Sequence, residues 1–295
     1  MQSAEFLSAV FFYLKVGENL NQNWIVENLN NAFSTWNGKL GELWGLVTTG
    51  PQTFKGGAVW SVMQTLHNGM VGIGYALVVL FFAISLCKNT MNFHELKRPE
   101  AAIHYFLRFV AAKALVGYGM DIMLNVFSIC NGIVTDMADS MGGISEAMVS
   151  LPAEMQTAIE NVGFLASIPL WLVTILGSLF ITVISFVIIL TVYGRFFRLY
   201  MYTALAPLPL AAFAGESTQS VGISFLKSYV GVCLEGAVIV LACVIYSAFV
   251  STPTVASGEA TTIVWSYLAE TVFNMLVLVG LIKGSDRIIH EMMGL

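Results

Sequence analysis

Four ionisable residues stand inside long apolar stretches of this sequence: Lys113, Asp121, Glu235 and Glu270. Charged groups within apolar spans are costly, so they are usually paired or line a polar path. Lys113, Gly117 and Asp121 recur every four residues, which predicts one shared helix face. For Lys113, Asp121 and Glu270, two interpretations stay open: an interhelical ion pair that fixes packing, or a polar lumen or oligomer interface. For Glu235, near one end of its stretch, the alternative is an edge group that reaches water.

No catalytic or metal-binding motif accompanies these charges. The pairs His94-Glu95 and His290-Glu291 each resemble the start of a helical zinc motif, but neither is followed by the second histidine. The four cysteines lack Cys-x-x-Cys spacing, and the Gly-Lys pair in the sequence lacks the rest of a nucleotide-binding loop. We therefore predict that the protein is not an enzyme and has neither a metal site nor a cofactor.

The overall composition is that of a membrane protein. Of 295 residues, 57% are hydrophobic and 11% are charged, whereas soluble domains carry about 25% charged residues. The net charge of −5 argues against a basic nucleic-acid-binding surface. The charges are too few to solvate a globule of this size, so we predict an all-α, polytopic membrane protein.

Five segments have the length and character of a membrane-spanning helix, which needs about 20 apolar residues. The predicted spans are residues 66–87, 109–134, 169–193, 230–250 and 263–282. They belong to a transmembrane helical domain at 61–295, which follows an extracytoplasmic amphipathic helical region at 1–60. Residues 199–215 are uncharged but short and contain Ala-Pro-Leu-Pro-Leu. Because two closely spaced prolines interrupt a helix, this segment is predicted to be re-entrant or interfacial.

Basic and acidic residues alternate between the connections, and basic residues mark the cytoplasmic side. The connection at 135–160 contains five acidic residues and no basic one. With five spans and the amino terminus outside, eight basic residues are cytoplasmic: Lys88, Lys97, Arg98, Arg195, Arg198, Lys227, Lys283 and Arg287. The sequence therefore predicts a plasma-membrane protein with its amino terminus outside and its carboxyl terminus in the cytoplasm.

The amino-terminal region carries apolar residues at steps of three and four, which is typical of an amphipathic helix. Leu29, Phe33, Trp36 and Leu40 belong to this face. Two interpretations stay open: the face packs against the protein's own helices, or it docks another subunit or a neighbouring copy.

One part of the sequence is similar to a known family. The residues concerned are Arg195-Phe-Phe-Arg198, Ala206-Pro207-Leu208-Pro209-Leu210, Phe225-Leu226-Lys227 and Cys233-Leu234-Glu235-Gly236. This succession resembles the TrbL-type polytopic membrane subunit of type IV secretion and conjugation machines, in the variety of Gram-positive integrative conjugative elements. The resemblance is strongest over about residues 165–285, and residues 1–60 carry no comparable signature.

The resemblance implies a non-enzymatic channel or scaffold subunit of the complex that passes DNA and its bound relaxase between cells. Its partners would be other membrane subunits, a separate secretion ATPase and the lipid bilayer, with transient contact to the transferred DNA–relaxase substrate as a hypothesis. A homo-oligomer is expected because five spans leave little room for a lumen as wide as DNA. The alternative is a stand-alone secondary transporter or ion channel with a polar pathway through Lys113, Asp121 and Glu270.

The resemblance also implies roles for single residues. Arg195 and Arg198 would anchor the cytoplasmic end of the third span, beside lipid phosphates or a partner's acids. Pro207 and Pro209 would hold the broken segment, and Lys227 would begin the next helix. Structural scaffolding explains the same residues without any contact to the transferred substrate.

Overall fold

The computed structural model describes residues 2–90, 99–140, 148–162, 164–250 and 260–294, and in these residues the regular structure is entirely helical. The α-helices are α1 (Gln2–Thr48), α2 (Ala58–Thr90), α3 (Pro99–Gly117), α4 (Gly119–Ser140), α5 (Ala153–Glu160), α6 (Phe164–Leu205), α7 (Pro207–Ala211), α8 (Gln219–Val250) and α9 (Ala260–Met293). Short 3-10 turns lie at Phe54–Gly57 and Ala212–Ala214. The incomplete zinc-motif pair His94-Glu95 and the predicted cytoplasmic residues Lys97 and Arg98 lie outside the described residues.

Four described helical segments are long and apolar enough to cross a membrane: Phe54–Lys88, Ser167–Leu205, Gln219–Phe249 and Thr262–Met293. A fifth candidate is the pair Ile103–Gly117 and Gly119–Asp139, bent by 72°. The predicted all-α polytopic membrane fold is therefore confirmed.

The bent pair replaces the single helix expected over 109–134. Tyr118 lies between α3 and α4, with Gly117 before it and Gly119 after it. Glycine is a weak helix former, so two glycines around one residue favour an interruption there. Lys113 therefore lies on α3 and Asp121 on α4, and the prediction that they share one face of a continuous helix is wrong.

The break near the prolines begins later than the predicted segment 199–215. Residues 199–205 continue α6, which has 42 residues and ends at Leu205. The reason is local, since proline restricts the residue before it and lacks the N–H that would donate to the carbonyl four residues earlier, but it does not affect the turns before that. At 1.5 Å per residue α6 is about 63 Å long, well beyond the bilayer core of about 30 Å.

The chain forms two compact units. Unit 1 comprises Met1–Gly45, Met141–Thr191 and Leu241–Lys283. Unit 2 comprises Leu46–Ser140, Val192–Val240 and Gly284–Leu295. Helices α1, α6, α8 and α9 contribute residues to both units.

In unit 1 the amphipathic face of α1 is buried. The side chains of Leu29, Phe33, Trp36 and Leu40 are at most 2% exposed, and the Phe33 ring meets the Tyr267 ring edge-on at 6.5 Å between centroids. These four side chains pack inside the protein itself, so the alternative in which they dock a partner is corrected. Their spacing was sufficient to predict a buried face but not to identify what buries it.

In unit 2 the turn between α1 and α2 is fixed against the end of α6. Lys55 and Gly56 have left-handed backbone conformations, with φ of 51° and 70°. The Phe54 ring stacks on Phe196 at 4.1 Å between centroids, and the Tyr200 hydroxyl donates to the Pro51 carbonyl at 2.8 Å. This turn therefore positions the last part of α6, which carries the two arginines of the predicted functional segment.

Candidate functional site

Four charged side chains of unit 2 form what we call the charge cluster: Arg195 and Arg198 of α6, Glu235 of α8 and Asp286 of α9. Arg198 Nη2 lies 2.7 Å from both Glu235 Oε1 and Oε2. Arg198 Nη1 also forms an ion pair with the Asp286 carboxylate. Two positive and two negative groups leave the cluster formally neutral, and they join the unit 2 parts of three helices.

Arg195 is completely buried, and its hydrogen bonds are to main-chain carbonyl groups. Its guanidinium donates to the carbonyl oxygens of Val47 at 3.4 Å, Val232 at 3.3 Å and Cys233 at 3.1 Å. A Cβ atom at Gly236 would lie 2.8 Å from Arg195 Nη2, so any other residue there would force the guanidinium to shift from these carbonyl oxygens. The expected position of Arg195 beside lipid phosphates or a partner's acids is therefore wrong.

Glu235 is 1% exposed, which rules out the edge position considered for it. Its carboxylate accepts from Arg198 and from the Ser285 hydroxyl, the latter at 3.2 Å. Arg198 is 29% exposed, and the acids that it meets belong to the same chain rather than to a partner. A buried carboxylate needs such compensation, because its desolvation is costly.

The second feature is the proline segment between α6 and α8. Pro207 is buried and stands at the first position of α7, where the missing N–H has no helical acceptor. Pro209 is half-buried in the same helix. Gly215 has extended backbone angles that end the following 3-10 turn. The Thr218 hydroxyl donates to the Ala212 carbonyl at 2.7 Å, which closes the segment before α8.

The proline also leaves an acceptor without its usual donor. In a continuous helix the Thr203 carbonyl would accept from the N–H of residue 207, which proline lacks. His67 of α2 supplies the missing bond, since its Nδ1 donates to the Thr203 carbonyl at 2.7 Å. The imidazole is buried, so the tautomer with a proton on Nδ1 satisfies a carbonyl that water does not reach.

The two helix interruptions of unit 2 pack against each other at what we call the break junction, formed by Gly74, Val116, Gly119, Pro207 and Leu210. A Cβ atom at Gly74 would lie 2.9 Å from both the Pro207 carbonyl oxygen and Val116 Cγ1. A Cβ atom at Gly119 would lie 3.2 Å from Leu210 Cδ1. The two glycines allow α2 and α4 to approach the proline segment closely.

Lys227 does not begin the helix after the proline segment. That helix, α8, begins at Gln219, because the 3-10 turn ends at Gly215 and the Gln219 amide already donates to the Gly215 carbonyl at 3.1 Å. Lys227 is exposed on the surface of α8. The expectation for Lys227 is therefore corrected.

The three intramembrane candidates are not part of the charge cluster. Lys113 and Asp121 are exposed on unit 2, and within the described part of the chain neither forms an ion pair. Glu270 is half-buried in unit 1. No group of three or more His, Cys, Asp or Glu side chains in the described ranges is arranged to hold a metal ion.

Sequence reasoning missed Asp286, Ser285, His67 and Gly74. His67 and Gly74 are seven residues apart, a spacing that places them on one face of α2 and could have drawn attention to them. Asp286 carried no such signal, because it lies among the basic residues after the last predicted span and resembles an ordinary surface charge.

The comparisons with known proteins identify one family. The family described as TrbL/VirB6 plasmid conjugal transfer like protein matches residues 36–207, more than half of the chain. The match begins before residue 60 and ends at Pro207, so it does not coincide with the region 165–285 where we expected the resemblance to be strongest. No curated protein and no solved structure matches the chain.

Proposed function

Because this chain belongs to the TrbL/VirB6 plasmid conjugal transfer-like family, and is thus a conjugation subunit of the type IV secretion class, we propose that it is a channel and scaffold subunit of the membrane complex that passes DNA. In this role it performs no chemistry of its own. The energy for transfer comes from a separate secretion ATPase, and other membrane subunits and further copies of this chain complete the channel.

The break junction is the observation that carries this proposal. Interrupted helices are tolerated at membrane depth where the freed backbone groups are buried in protein or line a cavity. Here His67 satisfies the carbonyl that Pro207 releases, and Gly74 and Gly119 bring the two interruptions together. Broken helices form the substrate site in secondary transporters, and the family match favours a subunit of a conjugation channel over a stand-alone transporter of that kind.

The charge cluster supports a scaffold role more than direct contact with DNA. Its arginines are engaged with carbonyl oxygens and with carboxylates of the same chain, so little positive charge remains for a phosphate backbone. We propose that the cluster fixes α6, α8 and α9 in unit 2, and that any contact with the DNA–relaxase substrate occurs elsewhere on the assembled channel.

The membrane topology is proposed from the distribution of charge, with the amino terminus outside and the carboxyl terminus in the cytoplasm. A reporter of location inserted near Gly143 is expected outside, and one near Glu216 inside. The first position is decisive, because the bent pair α3–α4 crosses the membrane as one broken span only if Gly143 is outside. Cytoplasmic reporter activity at Gly143, together with a reporter at the amino terminus that lies outside, would show that the pair is a re-entrant loop.

Deletion of the gene is expected to abolish conjugative transfer of the element that carries it, and expression of the intact chain in trans should restore it. Transfer is measured by mating, with donor growth and expression of the neighbouring transfer genes as controls. Unchanged transfer would contradict the proposed function. Solute flux catalysed by the purified protein in liposomes would instead support the alternative of a stand-alone transporter.

A further inference from the structure

Unit 2 contains a cavity of about 650 Å³ that neither the charge cluster nor the break junction uses. It lies beside α3, between that helix and the segment that leads into α8. Its polar lining includes His104, Arg108, Glu216 and Gln219. The volume falls within the range of about 300–1,000 Å³ that is typical of small-molecule sites.

Arg108 and Glu216, the two charged side chains of this cavity, form only a long ion pair. Arg108 Nη1 lies 3.9 Å from Glu216 Oε2, and Arg108 Nη2 lies 3.4 Å from Gln219 Oε1. The side chains of Arg108 and Glu216 are 31% and 65% exposed. The cavity therefore presents one cation and one anion, a short distance apart, to whatever enters it.

The surroundings of the cavity indicate an amphipathic ligand. Leu107, Leu115 and Phe213 contribute apolar lining, and Phe106 of α3, which is not part of the lining, is an exposed aromatic side chain. Two candidate membrane segments begin here, at Ile103 and at Gln219. A site at the end of membrane-spanning segments lies at the depth of lipid headgroups.

We propose that this cavity binds a membrane phospholipid whose headgroup carries both a phosphate and an ammonium group, as in phosphatidylethanolamine. Arg108 would bind the phosphate, a role for which the planar guanidinium is well suited. Glu216 would bind the ammonium, and the apolar lining would contact the first part of an acyl chain. A lipid with phosphate but no ammonium, such as phosphatidylglycerol, would leave the Glu216 carboxylate without a partner.

The test uses the full chain reconstituted with equal amounts of phosphatidylethanolamine and phosphatidylglycerol, then extracted in mild detergent. Lipids that remain bound are quantified by mass spectrometry. We expect phosphatidylethanolamine to be enriched about twofold to fivefold, the range that corresponds to one partly exposed ionic contact. Arg108→Gln should lose both lipids, whereas Glu216→Gln should retain lipid but lose the preference.

Two further variants separate binding from general damage. Ala111→Trp fills the cavity without changing its charge and should also reduce the retained lipid. Arg287→Gln removes an exposed arginine that pairs with Glu291 and should change nothing. Equal retention by the wild type and Arg108→Gln would overturn the proposal. Binding of inorganic phosphate by the delipidated wild type but not by Arg108→Gln, with no lipid retained by either, would identify free phosphate as the ligand and would also overturn it.

Discussion

Replacement of Glu235 by glutamine is expected to lower the free energy of unfolding by about 3 kcal/mol, near the lower end of the cost of breaking a buried ion pair. The carboxylate is 1% exposed and accepts from Arg198 and Ser285. Glutamine keeps the shape and some hydrogen bonds, but it leaves the charge cluster with one unbalanced positive charge. The partial exposure of Arg198 keeps the cost below that of a fully buried pair.

This effect can be measured by denaturant titration in detergent micelles, followed by tryptophan fluorescence. Glu291→Gln is the matched control, because it removes an exposed i,i+4 partner of Arg287 and should change stability by at most about 1 kcal/mol. Adding Arg198→Gln to Glu235→Gln should cost less than the sum of the single changes, since the pair is then removed together. Additive losses would mean that the two side chains do not interact as described.

Replacement of Gly74 by alanine is expected to lower the free energy of unfolding and to impair conjugative transfer. The new methyl group would lie 2.9 Å from the Pro207 carbonyl oxygen, a backbone atom that cannot rotate away, and 2.9 Å from Val116 Cγ1. Overpacking of this kind costs about 1–3 kcal/mol. The gain in helix propensity from glycine to alanine offsets up to about 1 kcal/mol of it.

Gly72 provides the control on the same helix. A Cβ atom there meets no neighbour within 4 Å, so Gly72→Ala should be neutral or slightly stabilising and should leave transfer intact. The two substitutions are chemically identical, and only Gly74→Ala is expected to destabilise the protein. If both stabilise the protein, α2 does not approach the proline segment as closely as the break junction requires.

The helical fold could be predicted from the sequence because it depends on local properties. The apolar runs predicted the candidate membrane-spanning helices, and the apolar residues at steps of three and four predicted the buried face of α1. The proline pair marked an interruption near Pro207, although its start was placed too early. The interruption at Tyr118 was missed, since the regular spacing of Lys113, Gly117 and Asp121 favoured one continuous helix.

Only some residues of the candidate site could be predicted from the sequence. Arg195, Arg198, Pro207 and Glu235 were selected, but the partners expected for the two arginines were lipid and other proteins. Asp286, His67 and Gly74 were not selected at all. Their importance arises from contacts across long sequence separations, such as His67 with Thr203 and Arg198 with Asp286.

That this is an all-α membrane protein could be predicted from the amino-acid sequence, because hydropathy and helix periodicity depend on residues close together in the chain. Which charges are neutralised internally, and which backbone groups need a substitute donor, became known only from the three-dimensional contacts. Burial determines which charges need a partner and which carbonyl groups need a donor, because an unpaired group is costly only where water cannot reach it. That is why the charge cluster and the His67 contact became visible only when distant segments were brought together.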